Sequence, residues 1–217
     1  PVLILVSWVR FPVRGFAKVL TAESAQKRLS AYRGFLLNEA NSSRYHEGYS
    51  MQFQLRHMPS RGIETLKIGI LCGPFLGCGT SRISLGPFSK ETSPVHYLLL
   101  NGQNPRFWKS TAASSPTQLI ALEDSLDPLV EGMNQTTFDL LMPFVFWDGK
   151  YVHSGKVAGR PAHIFSFTCP PWVKKKKPHW QNITLALDNA YDAPLRIEVL
   201  GKSQIAERTL ILRSFKT

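Results

Sequence analysis

The stretch that decides the fold is Ile183–Phe215, ITLALDNAYDAPLRIEVLGKSQIAERTLILRSF. Ile183, Leu185 and Leu187 alternate with Thr184, Ala186 and Asp188. Leu195, Ile197 and Val199 alternate with Arg196 and Glu198, and a third run, Arg208–Phe215, follows Gly201–Gln204. Period-two alternation predicts strands with one buried and one wet face. The connectors Asp188–Pro194 and Gly201–Gln204 carry turn residues and are short enough for an antiparallel meander.

Working outward, the same alternation recurs upstream. Met51, Phe53 and Leu55 alternate with Gln52, Gln54 and Arg56, and Leu66, Ile68 and Ile70 repeat the pattern after a turn at Met58–Gly62. Ser81–Leu85, Val95–Leu100, Phe107–Lys109, Tyr151–Val157 and Arg160–Thr168 read as further strands. No β-α-β spacing occurs, which predicts one antiparallel sheet rather than a parallel one. Helices interrupt the pattern twice. Thr21 is a candidate N-cap for a helix with Ala22, Ala25, Leu29 and Tyr32 on one face and Gly34 at the C-cap. Leu119, Leu122, Leu126, Leu129 and Met133 share a helical face, broken at Pro128 with Asp127 capping the second piece. Thr137 caps one more turn, Phe138–Met142, ended by Pro143. The densest aromatic cluster, Phe144-Val145-Phe146-Trp147, then enters a strand.

Composition bounds the function classes. A chain of 217 residues with 43% hydrophobic and 11% aromatic residues has ample material for a packed core. The net charge of +11 favours anionic partners without choosing among nucleic acid, phospholipid and acidic protein. No apolar run approaches the ~18–20 residues of a transmembrane helix. The chain begins at Pro1 and reads as processed or partial. Pro1–Val9 is apolar enough to end a signal segment, but Arg10 and Arg14 follow it rather than precede it and no small-x-small cleavage site comes next, so a buried edge strand or an N-terminal expression remnant is the better reading.

Catalytic chemistry has little to rest on. There is no G-x-S-x-G, P-loop, H-E-x-x-H or G-x-G-x-x-G pattern, so no enzyme, cofactor or metal site is expected. The six histidines are scattered singly, and Glu123, Asp124 and Asp127 read as a solvated helix face. Asp139 and Asp148 flank the aromatic run and suit cap or turn roles. Cys72, Cys78 and Cys169 make an odd count without C-x-x-C; unpaired thiols are the base-rate reading, with a Cys72–Cys78 disulfide the alternative in an oxidising compartment.

Several of these segments carry a family resemblance. The order of strand, Asp188, a short loop with Pro194, strand, turn and strand resembles the outer-membrane lipoprotein-sorting (LolA/LolB-like) family. The run Phe138–Trp147, FDLLMPFVFW, is similar to that family's "DLL-x-PF-x-x-W" segment, and Gly155–Phe167, GKVAGRPAHIFSF, to the strand pair that follows it. The resemblance covers Thr137–Phe215 well and the N-terminal helix loosely. It implies an α+β fold: a highly curved antiparallel sheet, an incomplete β-barrel, with helices covering its concave face, as a single domain over residues 1–217. Resembling proteins usually continue past the last strand seen here. The resemblance further implies a periplasmic, non-enzymatic protein that shields the acyl chains of lipoproteins or lipids in a hydrophobic cavity.

Such a cavity needs inward apolar residues. The expected lining is Phe53, Leu55, Ile68, Phe144, Phe146, Leu185 and Ile197, with Phe144 and Phe146 on the same side of their strand. A second feature is the run Lys174, Lys175, Lys176 and Lys177, bracketed by Trp172 and Trp180 in a Pro-rich loop. Lysines beside an anionic bilayer and tryptophans at its boundary suit docking to a membrane or an acidic partner. Charge runs also simply solubilise. The competing reading is a closed core with a basic surface that binds protein or nucleic acid. No strand carries the interleaved aromatic and basic pattern of a base-stacking platform, which weighs against nucleic acid.

Overall fold

The computed structural model describes residues 21–37, 49–57, 65–75, 80–85, 95–110, 118–129 and 135–211, with the backbone alone described for all of the first strand and for parts of the second and the last. Helix α1 spans Ala22–Leu37. Its first turn is capped as expected, the Ser24 amide donating to Thr21 Oγ1 at 3.3 Å. Gly34 does not end it. The helix runs on because Phe35 and Leu36 are buried, and the Asn101 side-chain amide donates to the Leu36 carbonyl at 2.6 Å, satisfying a terminal acceptor.

Eleven strands follow among the described residues, all paired antiparallel. The first ladder takes β1 (Tyr49–His57), β2 (Thr65–Phe75), β3 (Thr80–Leu85), β4 (Val95–Leu100), β5 (Arg106–Ser110) and β6 (Gln118–Ile120) in chain order. The second takes β7 (Gly149–Val157), β8 (Arg160–Thr168), β9 (Asn182–Asp188), β10 (Pro194–Leu200) and β11 (Ala206–Ile211), also in chain order. Each strand thus pairs with its neighbour in sequence, the meander expected from the short connectors. The ladder is divided rather than single: among the described residues no pairing joins β6 to β7 or β11 to β1, so the barrel is open. The break falls where the chain turns helical.

That helical insertion differs from its sequence pattern. Leu119 lies in β6 and is exposed, and among the described residues of the segment the expected helix gives way to a 3-10 turn at Leu122–Leu126, while Met133 lies outside the described residues. Asp127 follows that turn instead of capping a second helix. Helix α2 spans Thr137–Leu141 with Thr136 as N-cap. Asp139 takes the cap role expected of it in a reciprocal box. Its amide donates to Thr136 Oγ1 at 3.1 Å, and the Thr136 amide donates to Asp139 Oδ2 at 2.9 Å. Met142 then adopts a left-handed conformation (φ 53°, ψ 46°), and Pro143–Phe146 forms a 3-10 turn. The aromatic run is therefore helical rather than a strand, so period-two alternation does not apply to it. Phe144 and Val145 are buried together, and Phe146 is half-buried.

Helix α3, Pro171–Lys176, replaces the expected loop, with Pro at its first positions where the missing N–H costs nothing. Two cores result. Residues of α1, α2 and the 3-10 turn pack with Phe165, Phe167, Ile183, Leu185, Leu187, Ile197 and Val199 on one face of the second sheet. Leu140 and Leu141 pack instead with Leu71, Ile83, Leu85, Tyr97, Leu99 and Phe107 of the first. One turn of α2 thereby joins both sheets. Pro1–Val9 and the loop that carries Cys78 lie outside the described residues, as does the Cys72 side chain.

Candidate functional site

The concave face of the second sheet is covered by α1, as helices over the sheet were expected to do. Ala25, Leu29, Tyr32, Phe35 and Leu36 form the buried stripe of α1, spaced three or four residues apart along one face. The plug made by α2 and its 3-10 turn inserts Phe138, Met142, Phe144 and Val145 beside them. An aromatic chain runs outward from the sheet. Phe167 meets Phe144 edge-on at 5.6 Å between centroids, Phe144 meets Phe138 at 5.7 Å, Phe138 meets Trp147 at 5.5 Å, and Trp147 meets Trp172 of α3 at 6.1 Å. The Phe167–Phe144 and Trp147–Trp172 contacts are edge-on and add ~0.5–1.5 kcal/mol each to area burial, and the two between them are tilted. Gly149 permits the inner end. It pairs with Phe167 across β7–β8, and a Cβ there would lie 2.4 Å from the Phe167 ring.

Most of the polar contacts of α1 run along its rim; buried ones are the Asn101 amide on the Leu36 carbonyl at 2.6 Å and the Tyr32 hydroxyl on Met142 Sδ at 4.0 Å. Arg33 donates to the carbonyls of Val145 and Trp147, each at 2.7 Å. Burial lowers the Arg33 pKa from its ordinary value, and the nearby Asp148 carboxylate pulls the other way. Arg28 donates to the Asn189 carbonyl and side chain and pairs with Asp192 at 3.1 Å, reaching the β9–β10 turn. Gln26 donates to the Gly149 carbonyl at 3.2 Å. The turn that receives Arg28 is itself built on buried Asp188, whose Oδ1 accepts from the amides of Ala190 (2.7 Å) and Tyr191 (2.9 Å). Its Oδ2 accepts from Arg160 at 2.5 Å, a bond that raises the Arg160 pKa. A helix held by rim hydrogen bonds over a non-directional apolar face has the build of a lid.

The expected cavity set divides. Phe144, Leu185 and Ile197 lie in one buried cluster, with Phe146 packed half-buried against it. The register of β1 with β2 splits the others: Phe53 pairs with Gly69, Leu55 with Lys67 and Ile68 with Gln54. Directly paired residues share a face, so the positions of Phe53 and Leu55 fall with buried Leu71, and that of Ile68 with exposed Ile70. Ile68 is thus not across from the others.

The docking set divides too. Trp180 is buried in the main core and Trp172 packs half-buried against it, so this pair does not form an exposed belt. Lys176 is bound to Asp124 at 3.2 Å and Asp127 at 2.9 Å; Lys175 is exposed, and Lys174 and Lys177 are intermediate. The lid arginines escaped sequence reading. Their signal is faint: long cations beside the Ala25–Leu29–Tyr32–Leu36 stripe. Among the described residues no group of three or more His, Cys, Asp or Glu could hold a metal, and no helix is long and apolar enough to cross a membrane.

Comparison with solved structures decides the fold. The chain superposes on a domain described as an outer membrane lipoprotein-sorting protein from Vibrio parahaemolyticus with a TM-score of 0.60 at 13% identity, over 90% of this chain and 78% of that one. The fold is the one that this domain adopts. A LolA superfamily protein from Nitrosomonas europaea matches with a TM-score of 0.51 at 12% identity, over 89% of this chain and 79% of the other. A DUF1329 family protein from Desulfovibrio piger matches at 0.54 and 14%, over 85% and 78%. No protein-family model and no curated sequence relative matches. The likeness is one of architecture, extending over the first ladder, where sequence resemblance gave out.

Proposed function

We propose that the chain sequesters acyl chains, of a lipoprotein or a lipid, between α1 and the concave face of its second sheet, without catalysis, and that it does so in the periplasm. The observation that carries this reading is the lid: an apolar stripe of α1 over Leu185, Ile197 and Phe144, secured mainly by hydrogen bonds at its rim. The shared architecture with lipoprotein-sorting proteins supports it. An acyl chain entering under the lid gains ~0.8 kcal/mol per CH₂ removed from water, so no polar partner is needed for firm holding. Phe144, Leu185 and Ile197 would line the site and Phe146 its mouth.

A long-chain fluorescent fatty acid tests this through energy transfer from Trp147 and Trp172. Saturable transfer, weakened about tenfold or more by Phe146→Asp with circular dichroism preserved, is the expected result, because a charge at the mouth must be desolvated when the chain enters. Absence of saturable transfer from the wild type overturns the proposal. A second reading then gains: Phe144 and Leu185 are fully buried, as in a closed core whose surface binds protein.

A further inference from the structure

The opposite face of the second sheet holds a concavity of another character. Phe167 and Ile183 pair across β8–β9 and point into the core; the next pair, Thr168 and Asn182, falls on the outer face. Around it Lys174 of α3, Gln181, and Lys202 and Gln204 of the β10–β11 turn close a groove of about 330 Å³. Liquid water occupies ~30 Å³ per molecule, so the groove holds roughly ten waters or a small polar ligand. All six lining residues are polar, two are cationic and none is acidic. None of these six side chains makes a hydrogen bond or ion pair with another described residue. Lys176, one turn away, is by contrast bound by two carboxylates.

We infer that this groove is an anion site for a phosphate ester. Two ammonium groups neutralise a phosphate's charge, and three side-chain amides and a hydroxyl supply donors for its remaining oxygens and for the alcohol esterified to it. Lysine serves here as a point charge, which suits a phosphate that approaches from one open side. The assignment splits the lysine run by role: Lys174 faces the groove, Lys176 ties α3 to the Leu122–Leu126 turn, and Lys175 points to solvent. It stands apart from the acyl site, since the two lie on opposite faces of one sheet. The phosphate can belong to a soluble ester or to a phospholipid headgroup, and the chemistry in the groove is the same.

Calorimetric titration of the full chain with glycerol 3-phosphate at low salt tests it. Saturable binding is expected, at least about tenfold weaker in the Lys174→Gln/Lys202→Gln double variant. Lys175→Gln should change it by less than about twofold, because screened charges outside the site contribute little. These positions are exposed or half-exposed, so the fold tolerates the changes. Sedimentation with phosphatidylglycerol vesicles separates the sources. Vesicle capture lost in the double variant assigns the site to a lipid headgroup, and binding of glycerol 3-phosphate without vesicle capture assigns it to a soluble ester. No saturable binding of glycerol 3-phosphate, or an equal loss in Lys175→Gln, overturns the inference in favour of diffuse basic charge.

Discussion

Arg33→Met should open the lid while leaving the sheet closed. The guanidinium donates to two carbonyls of the plug at 2.7 Å, and hydrogen bonds from a charged donor are worth about 1.5–3 kcal/mol each. Part of that is returned, because the group is partly desolvated and methionine fills similar space without that cost. A net loss of about 2 kcal/mol in lid closure is the expected balance, a factor of roughly 30 in the opening equilibrium. Hydrogen exchange resolved by residue reads it directly. Amides of Leu29–Leu36 should exchange roughly 30-fold faster, while those of Ile183–Leu187 in β9 change little, since their ladder bonds do not involve α1. If lid opening gates entry, the association rate of a fatty-acid probe rises by a similar factor. Equal loss of protection in α1 and β9 would refute the reasoning, because α1 would then be an inseparable part of the core. Unchanged protection in α1 would refute it as well.

Two further outcomes follow from the packing. Gly149→Ala places a methyl group 2.4 Å from the Phe167 ring and displaces it from Phe144; urea denaturation should show a loss of about 1–3 kcal/mol, where a harmless surface change costs under about 0.5. Burial pushes the Cys169 thiol up to about 11, against the opposing charge of Lys174. The folded state therefore holds the proton more tightly than the unfolded chain, and stability present below about pH 9 is lost as pH rises towards 11, by an amount on the order of 2 kcal/mol. Denaturation across that range should show the decline in the wild type and a shallower one in Cys169→Ala; parallel slopes would exclude Cys169 as the cause.

The meander was legible because alternation is local: Ile183–Leu187 and Leu195–Val199 declare their faces without reference to anything distant. Val95–Leu100 and Arg160–Thr168 appear with the boundaries their sequence marks. The failures share a cause, which is that tertiary contacts chose among patterns the sequence left degenerate. Leu119 fits a helical face with Leu122 and Leu126, but β5 offers it a ladder, Trp108 pairing with Leu119. Phe144–Trp147 has strand-forming residues, yet Pro143 after the left-handed Met142 starts a tight turn that buries two successive side chains. Gly34 carries a terminator's signature, which the burial of Phe35 and Leu36 outweighs. Of the site, the apolar wall at Leu185 and Ile197 could be read from period, whereas the Arg28 and Arg33 bonds join positions more than a hundred residues apart and leave no local trace.

The place of β7 at the end of its ladder bears on association between molecules. A terminal strand normally offers free amides and carbonyls on which a second chain can continue the sheet. Along β7 the register slips between Tyr151 and His153, and Lys150 and Lys156 stand along it. An incoming strand would meet a kinked template studded with cations, and two copies meeting edge to edge would set lysine near lysine. Growth of the sheet by accretion is thereby discouraged at this margin, and a lid that opens as proposed would not offer this flank to a neighbour.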